Sequence, residues 1–251
     1  MNSRPMMAAI ELAAAGMVLV SSMAHAGEIT VLASAAFMEA YRELVPQFER
    51  ASGHKVTTLQ APTVDITKRI KGGETVDLVI MAAPAIDQLI ADGKIVAGSR
   101  ADLARSGVGV AVPRGAPKPD ISSAEALKQA LMAAGSIAYS TGPSGVYLAG
   151  LFRRMGIAEA LAPKIKQVKG EPVGAVVARG EAEIGFQQVS ELLPVAGIEY
   201  LGPLPPEIQE VTVFAAGRHV AAKESDGAKA LVAFLTAPAA APVIRKTGME
   251  P

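Results

Sequence analysis

Short apolar runs alternate with amphipathic stretches along the first part of the chain. The runs are rich in β-branched residues, which is typical of buried strands, and the stretches carry apolar residues at helical spacing. The predicted strands are residues 28–33, 54–60, 77–81 and 107–112, and the predicted helices are residues 36–51, 64–71 and 85–92. Alternation at this spacing predicts a parallel sheet with helices on both faces.

The alternation resumes after a stretch rich in Pro and Gly, residues 113–120. The predicted elements that follow are helices 124–134, 147–155 and 173–179, strands 136–140, 183–187 and 211–215, and two final helices at 226–235 and 238–247. A second Pro-rich stretch, residues 202–206, precedes the last of these strands. Stretches of this composition without an apolar period are typical of connections between folded units.

Two such connections predict an α/β fold of two lobes, with parallel-rich sheets, two crossover strands and a cleft between the lobes. We expect lobe 1 to comprise residues 27–112 and 211–251, and lobe 2 to comprise residues 113–210. The chain then leaves lobe 1 near Val112 and returns near Val211. Two lobes joined by paired strands can hinge around a ligand held between them.

The first 26 residues have the features of a secretory signal peptide. Arg4 precedes an apolar segment at about residues 12–20, and Ala24-His25-Ala26 has the small residues of a cleavage site. The apolar segment is well short of the ~20 residues that span a bilayer. We therefore expect residues 1–26 to be removed, the mature chain to begin at Gly27, and the protein to work in the periplasm.

Composition excludes several classes of function. Half of the 251 residues are hydrophobic, and 24 basic residues balance 24 acidic ones, so no net charge attracts nucleic acid. There is no cysteine, and His25, His54 and His219 have no metal-ligand spacing. We expect no metal, no cofactor and no nucleic-acid partner.

Four strand-to-helix turns are rich in Gly, Ser, Thr and Pro: residues 33–36, 61–63, 140–147 and 170–174. The first N–H groups of a helix have no partner within it, and its dipole is positive at that end, so such turns bind anions without a Lys or Arg. Because ligands of open α/β sheets lie beyond the carboxyl ends of the strands, we expect the four turns to form one anion site. Ser and Thr at these positions are also common helix caps for purely structural reasons.

Four segments together carry a resemblance to a known family. They are residues 29–37, Gly-Gly at 72–73 followed by Asp-Leu-Val-Ile at 77–80, Pro-Ser-Gly-Val-Tyr at 143–147, and Val-Ala-Arg-Gly-Glu-Ala-Glu-Ile-Gly at 177–185. In order and spacing the chain from about Gly27 to its end resembles the periplasmic molybdate-binding proteins of bacterial ABC importers. The resemblance implies the type II periplasmic-binding-protein fold.

In that family two serine hydroxyls, backbone N–H groups at helix starts and one tyrosine hydroxyl hold the oxyanion. The first serine falls on Ala36, with Ser34 two residues earlier, and the tyrosine falls on Gln188. The ligand residues that the resemblance implies are Ser34, Ala36, Thr63, Ser144, Gly145, Val173 and Gln188. Since a hydroxyl and the tyrosine are replaced, a small organic acid is as suitable a ligand as molybdate or tungstate.

Two functions follow from these observations. The first is a monomeric periplasmic receptor that binds a small anion and delivers it to an inner-membrane ABC permease. The alternative is an isomerase of a small unsaturated polycarboxylate, because the periplasmic aconitate isomerases are a related group with a similar fold. The sequence shows no convincing acid–base pair, so no catalytic residue is predicted.

Overall fold

The computed structural model describes residues 27–251, and the predicted signal peptide, residues 1–26, lies outside them. Residues 27–251 form nine strands: β1 Glu28–Ala33, β2 Lys55–Gln60, β3 Leu78–Ala82, β4 Ala101–Pro113, β5 Ile137–Ser140, β6 Ile165–Val168, β7 Ile184–Gln188, β8 Ile198–Pro203 and β9 Val211–Arg218. The same residues form ten α-helices: α1 Met38–Ser52, α2 Thr63–Lys71, α3 Ala83–Ala91, α4 Ala124–Ala133, α5 Pro143–Arg154, α6 Ala158–Leu161, α7 Val173–Ala178, α8 Val189–Leu192, α9 Ser225–Leu235 and α10 Ala241–Lys246. A 3₁₀ turn, Ala35–Phe37, leads into α1.

The strands follow the order β2-β1-β3-β9-β4-β7-β5-β6, and β8 pairs with β4. At one end β1 is parallel to β2 and β3, and at the other end β5 is parallel to β6 and β7. Between them β4 and β9 run antiparallel to each other and to their outer neighbours β7 and β3. Two parallel sets therefore meet through a pair of long crossover strands, and the predicted α/β fold class is confirmed.

Strand β4 changes partners within its length. Its residues up to Gly107 pair with β9, and those from Val108 onward pair with β7 and β8. At the change the Gln209 side chain accepts a hydrogen bond from Val108 N–H at 2.9 Å and donates to the Val108 carbonyl at 3.0 Å. A side chain thus takes the place of a neighbouring strand. This change of partners, between Gly107 and Val108, comes before the lobe boundary predicted at residue 112. The division of the chain into two lobes stays a prediction.

Each set of strands has helices and a buried core on both faces. Around β1 and β3, alternate strand residues face Leu44, Phe48 and Leu231 on one side and Ile66 and Ile86 on the other. Around β5 and β7 the opposite faces likewise pack against two clusters, which contain Leu148, Phe152 and Leu131 on one side and Val176 and Leu192 on the other. Each half therefore has its own hydrophobic core, as movable units require.

The differences from the predicted elements include two boundaries and one strand that was not predicted. Strand β4 begins at Ala101 instead of residue 107, because Asp102 and Arg105 interrupt the apolar run that marked its second half. Residues 198–203 form β8 although the segment ends in Gly202 and Pro203, which are rare inside strands. Helix α5 begins at Pro143 instead of residue 147, since proline suits the first helical position.

Within residues 27–251 no single helix has the length and apolar composition needed to cross a bilayer. Helix α9 and the following segment Pro238–Lys246 have that length and apolar composition only when they are counted together. A bend of 57° separates them.

Candidate functional site

The predicted turns surround one cavity of about 470 Å³. It lies where the parallel strands of both halves end, so that each half contributes part of the wall. Its lining residues are Ser34–Ala36, Gln60–Thr63, Ser140–Pro143, Val168, Gly170–Pro172, Gln187, Gln188, Glu191 and Phe214. The ends of β1, β2, β5, β6 and β7 therefore face a common space, as the strand-to-helix turns predicted.

Two hydroxyls in this wall have no partner. Ser34 is buried, and its N–H donates to the Ile80 carbonyl at 2.8 Å, which fixes the end of β1 against β3. Among residues 27–251, Ser34 Oγ and Thr63 Oγ1 are the buried side-chain oxygen or nitrogen atoms that lack a hydrogen-bond partner. Neither residue caps its helix through its side chain. An unmade hydrogen bond at a buried group costs about 1–3 kcal/mol, so a partner for either hydroxyl would stabilise the protein.

Ala36 also lines the cavity, and its carbonyl accepts a hydrogen bond from Ser190 Oγ at 2.8 Å. This bond ties the start of α1 in the first half to α8 in the second half. Ala36 itself offers no side-chain donor, so the missing family hydroxyl is not replaced at that position; Ser34 supplies one nearby.

The turn from β5 to α5 reaches the cavity with Ser140, Thr141, Gly142 and Pro143. Ser144 and Gly145 are buried and are not among the lining residues. Ser144 Oγ lies 3.4 Å from Ser140 Oγ, which in turn accepts from Gly142 N–H at 3.2 Å. In this conformation Ser144 and Gly145 therefore shape the turn, and their contact with a ligand stays a prediction.

Val173 and Gln187 form a buried contact that the sequence did not suggest. Val173 N–H donates to Gln187 Oε1 at 2.8 Å, and Val173 does not line the cavity. The N–H group that we expected to face a ligand is thus engaged within the protein. Ligand binding by Val173 remains a prediction that requires this bond to open.

Gln188 lines the cavity, but its amide contacts the crossover strands. With its nitrogen turned toward β4, the amide donates to the carbonyls of Ser106 at 3.0 Å and Gly107 at 3.1 Å, and its oxygen accepts from Thr212 Oγ1 at 3.0 Å. This orientation satisfies both ends of the amide. Gln188 therefore links β7 to β4 and β9 beside the point where β4 changes partners.

Glu191 is a functional candidate that the sequence reasoning missed. It lies on α8 in the cavity wall, and its Oε1 accepts from Gln187 Nε2 at 2.8 Å. Burial raises the pKa of Glu191 to about 7, and the hydrogen bond from Gln187 opposes this rise only in part. No motif marks this residue; the signal is its place in the cavity and the burial that comes with it.

The cavity wall contains no cationic side chain. Among its lining residues neither Lys, Arg nor His occurs, and the second acidic residue, Glu171, is paired with Arg179 at 3.0 Å. The groups that this wall offers to an anion are therefore hydroxyls, amides and helix N-termini, with a carboxyl of raised pKa beside them.

Comparisons with known proteins agree with the fold and the motifs. A family model described as bacterial extracellular solute-binding protein matches residues 29–250. An aconitate isomerase from a Pseudomonas species is 41% identical over 89% of this chain and 87% of that protein. The molybdate-binding protein ModA of Azotobacter vinelandii is 30% identical over 94% of each chain.

Comparison with solved structures gives the same fold. A periplasmic molybdate-binding protein of Azotobacter vinelandii superposes with a TM-score of 0.75 at 20% identity, covering 89% of this chain and 99% of that one. The resemblance drawn from the four sequence segments is confirmed. This chain therefore belongs to the bacterial extracellular solute-binding proteins and is similar to the type II molybdate-binding proteins among them.

Proposed function

We propose that this protein binds a small organic acid with two or three carboxylates in the cavity between its halves. The observation that carries the proposal is the pair of buried, unpartnered hydroxyls, Ser34 and Thr63, on the wall of that cavity. A volume of about 470 Å³ lies within the range of roughly 300–1,000 Å³ that is typical of pockets for small organic molecules. The 41% identical relative is named for an acid of this class.

The hydroxyls of Ser34 and Thr63 and the N–H groups at the starts of α2 and α5 are the proposed ligand donors. In α5 these N–H groups belong to Ser144 and Gly145, because Pro143 has none. Ala36 and Gln188 line the same wall, and Val173 contacts the ligand only where its bond to Gln187 opens. We further propose the periplasm as the place of action, an inner-membrane ABC permease as the partner, and a monomer as the working form. Family membership and the paired crossover strands support this role.

Thermal unfolding of the chain from Gly27 onward tests the ligand class. We expect citrate, tricarballylate or an aconitate isomer to raise the melting temperature, whereas molybdate, tungstate, sulfate and phosphate leave it unchanged. A ligand at ~100 times its Kd adds about 2.7 kcal/mol, or roughly 5–10 °C for a chain of this size. Stabilisation by molybdate and tungstate alone would overturn the proposal of a carboxylate.

Ser34→Ala is expected to weaken binding of the stabilising acid by about 5- to 150-fold, the equivalent of one lost hydrogen bond of about 1–3 kcal/mol. The melting temperature of the free protein should stay the same or rise, because the variant removes a buried hydroxyl that has no partner. Titration calorimetry measures the affinity.

Ser52→Ala is the matched control, since Ser52 Oγ donates to the Phe48 carbonyl at the end of α1, outside the cavity lining. It should leave the affinity unchanged. If Ser34→Ala also binds with wild-type affinity, Ser34 is not a ligand residue.

A second function, isomerisation of the bound acid, is favoured by one observation. Glu191 places a carboxyl with a pKa of about 7 in the cavity wall, and a pKa near the working pH suits a group that moves protons. We propose this activity for aconitate, following the 41% identical relative.

The test is incubation of trans-aconitate with the protein in D₂O, followed by proton NMR. Appearance of the cis isomer or loss of carbon-bound hydrogen supports the isomerase; tight binding with unchanged spectra supports the receptor.

A further inference from the structure

The cavity presents an unusual electrostatic situation for an anion site. Within the wall drawn from residues 27–251, Glu171 and Glu191 are the ionisable side chains, and both are acids. Glu171 is paired with Arg179 outside the cavity, whereas Glu191 is paired with no cation. An ionised Glu191 would repel a bound carboxylate, so the state of its proton affects whether an anion is accepted.

The hydrogen bonds around Gln187 fix which Glu191 oxygen carries a proton. A backbone N–H can only donate, so the contact from Val173 N at 2.8 Å requires the Gln187 oxygen on that side. The Gln187 NH₂ group then faces Glu191 Oε1 at 2.8 Å, and this oxygen is an acceptor. Among the described residues, none hydrogen-bonds to Glu191 Oε2. The proton therefore belongs on Oε2, the oxygen that is free for a ligand.

Among residues 27–251, no charged side chain is paired with Glu191. Helix α8 packs against β4, β7, α7 and the 3₁₀ turn Ala35–Phe37, and its Val189 lies against Gly248, which follows α10. On these elements the charged residues are Asp102 and Arg105 in the first half of β4, and Arg179 follows α7. Near Gly248 they are Arg245, Lys246, which is paired with Glu43, and Glu250. Arg179 is paired with Glu171, and the pKa of Glu191 is set by burial and by the bond from Gln187. An anion close to Oε2 raises that pKa further, since it disfavours a second negative charge.

We propose that Glu191 is the specificity-determining residue of this site: in its neutral form Oε2–H donates a hydrogen bond to a carboxylate of the bound acid, so that binding takes up a proton. The inference rests on the proposed function and deepens it. It makes the affinity dependent on pH in a defined direction. Because only the neutral form binds, the affinity for the acid is highest below about pH 7 and decreases as the pH rises above that value. Between pH 6 and pH 9 the apparent Kd should rise about 90-fold, because the binding-competent fraction falls by that factor.

Titration calorimetry with trans-aconitate at pH 8, in two buffers of different ionisation heat, counts the protons directly. At this pH carboxyls with ordinary pKa values are ionised, so the ligand contributes little. We expect about 0.9 proton taken up per wild-type molecule, since about that fraction of Glu191 is ionised before binding. If another carboxylate is the one that stabilises the protein, the same titration uses that acid.

The variant Glu191→Gln keeps the shape of a neutral carboxyl but cannot titrate. We expect it to bind with an affinity within about 10-fold of the wild type at pH 6, with no proton uptake and no loss of affinity up to pH 9. Glu171→Gln is the matched control, because it changes the second acid of the same wall; it should keep the wild-type pH profile.

The outcomes separate this inference from the proposed function. If no carboxylate binds between pH 6 and pH 9, the proposed function fails, and the inference with it. If the wild type binds a carboxylate without proton uptake, or Glu191→Gln retains the pH profile, the inference alone is wrong. The proton count on the wild type decides the matter even if the variant does not fold.

Discussion

Gly145→Ala is expected to lower the free energy of unfolding by about 3 kcal/mol or more, at the upper end of the cost of overpacking. A β-carbon at this position would lie 1.6 Å from the Ser140 carbonyl oxygen and 3.1 Å from Tyr139 Cδ2. The first of these neighbours is backbone and cannot rotate away. Helix α5 must therefore move off β5, and the cavity wall formed by their turn moves with it.

Urea unfolding of Gly145→Ala and Gly150→Ala measures this effect with an internal control. Gly150 lies on the same helix, and an added β-carbon would meet only the flexible end of Arg154 at 3.3 Å. Because alanine is the better helix former, Gly150→Ala should be neutral or more stable by up to about 1 kcal/mol. Equal stability of the two variants would show that α5 moves freely against β5.

Asp77→Ala should lower the free energy of unfolding by about 3–5 kcal/mol, since it leaves several partly buried donors without an acceptor. The Asp77 carboxylate accepts from Thr30 N–H and Thr30 Oγ1, both at 2.7 Å, and from Glu224 N–H at 2.8 Å. It therefore holds β1 and the start of α9 at the base of β3. The exposed Asp226→Asn serves as the control and should change stability by less than about 0.5 kcal/mol.

The same carboxylate predicts part of the acid sensitivity. Burial raises the pKa of Asp77, but the hydrogen bonds from Thr30, Glu224 and Lys223 outweigh it and hold the pKa below its ordinary value. A lowered folded pKa contributes stability that is complete above the unfolded pKa of about 4 and is lost as the pH falls through the folded value. Asp77→Asn should lose stability at pH 7 and show a smaller further loss on acidification. Parallel acid curves for wild type and variant would contradict this.

Much of the fold could be predicted because the strands of its parallel sets are continuous apolar runs. Residues 78–82 of β3 are all buried, and a strand of that kind is visible in the sequence. The first half of β4 was not visible, because its exposed Asp102 and Arg105 interrupt the apolar pattern and its partner β9 lies far along the chain. Strand pairing over such distances leaves no local pattern.

The site was predicted as far as local chemistry determines it. The turns at the ends of β1, β2, β5 and β6 could be recognised because strand-to-helix junctions have their own composition, and they do meet at one cavity. The partners of Val173 and Gln188 could not be predicted, since tertiary packing decides which amide reaches which N–H. Glu191 was missed for the same reason: its sequence neighbours are ordinary, and burial alone makes it unusual.

The position of β9 between β3 and β4 has a consequence for the order of folding. Leu78 pairs with Arg218 and Ala82 with Phe214, so the sheet that contains β1 receives its fourth strand from a segment that is much later in the sequence. Until Val211–Arg218 has left the ribosome, β3 and the first half of β4 have open edges, which can pair with other chains. Contacts at such separation also form slowly, because a long loop must close first. Folding of the first parallel set thus waits until residues 211–218 are available.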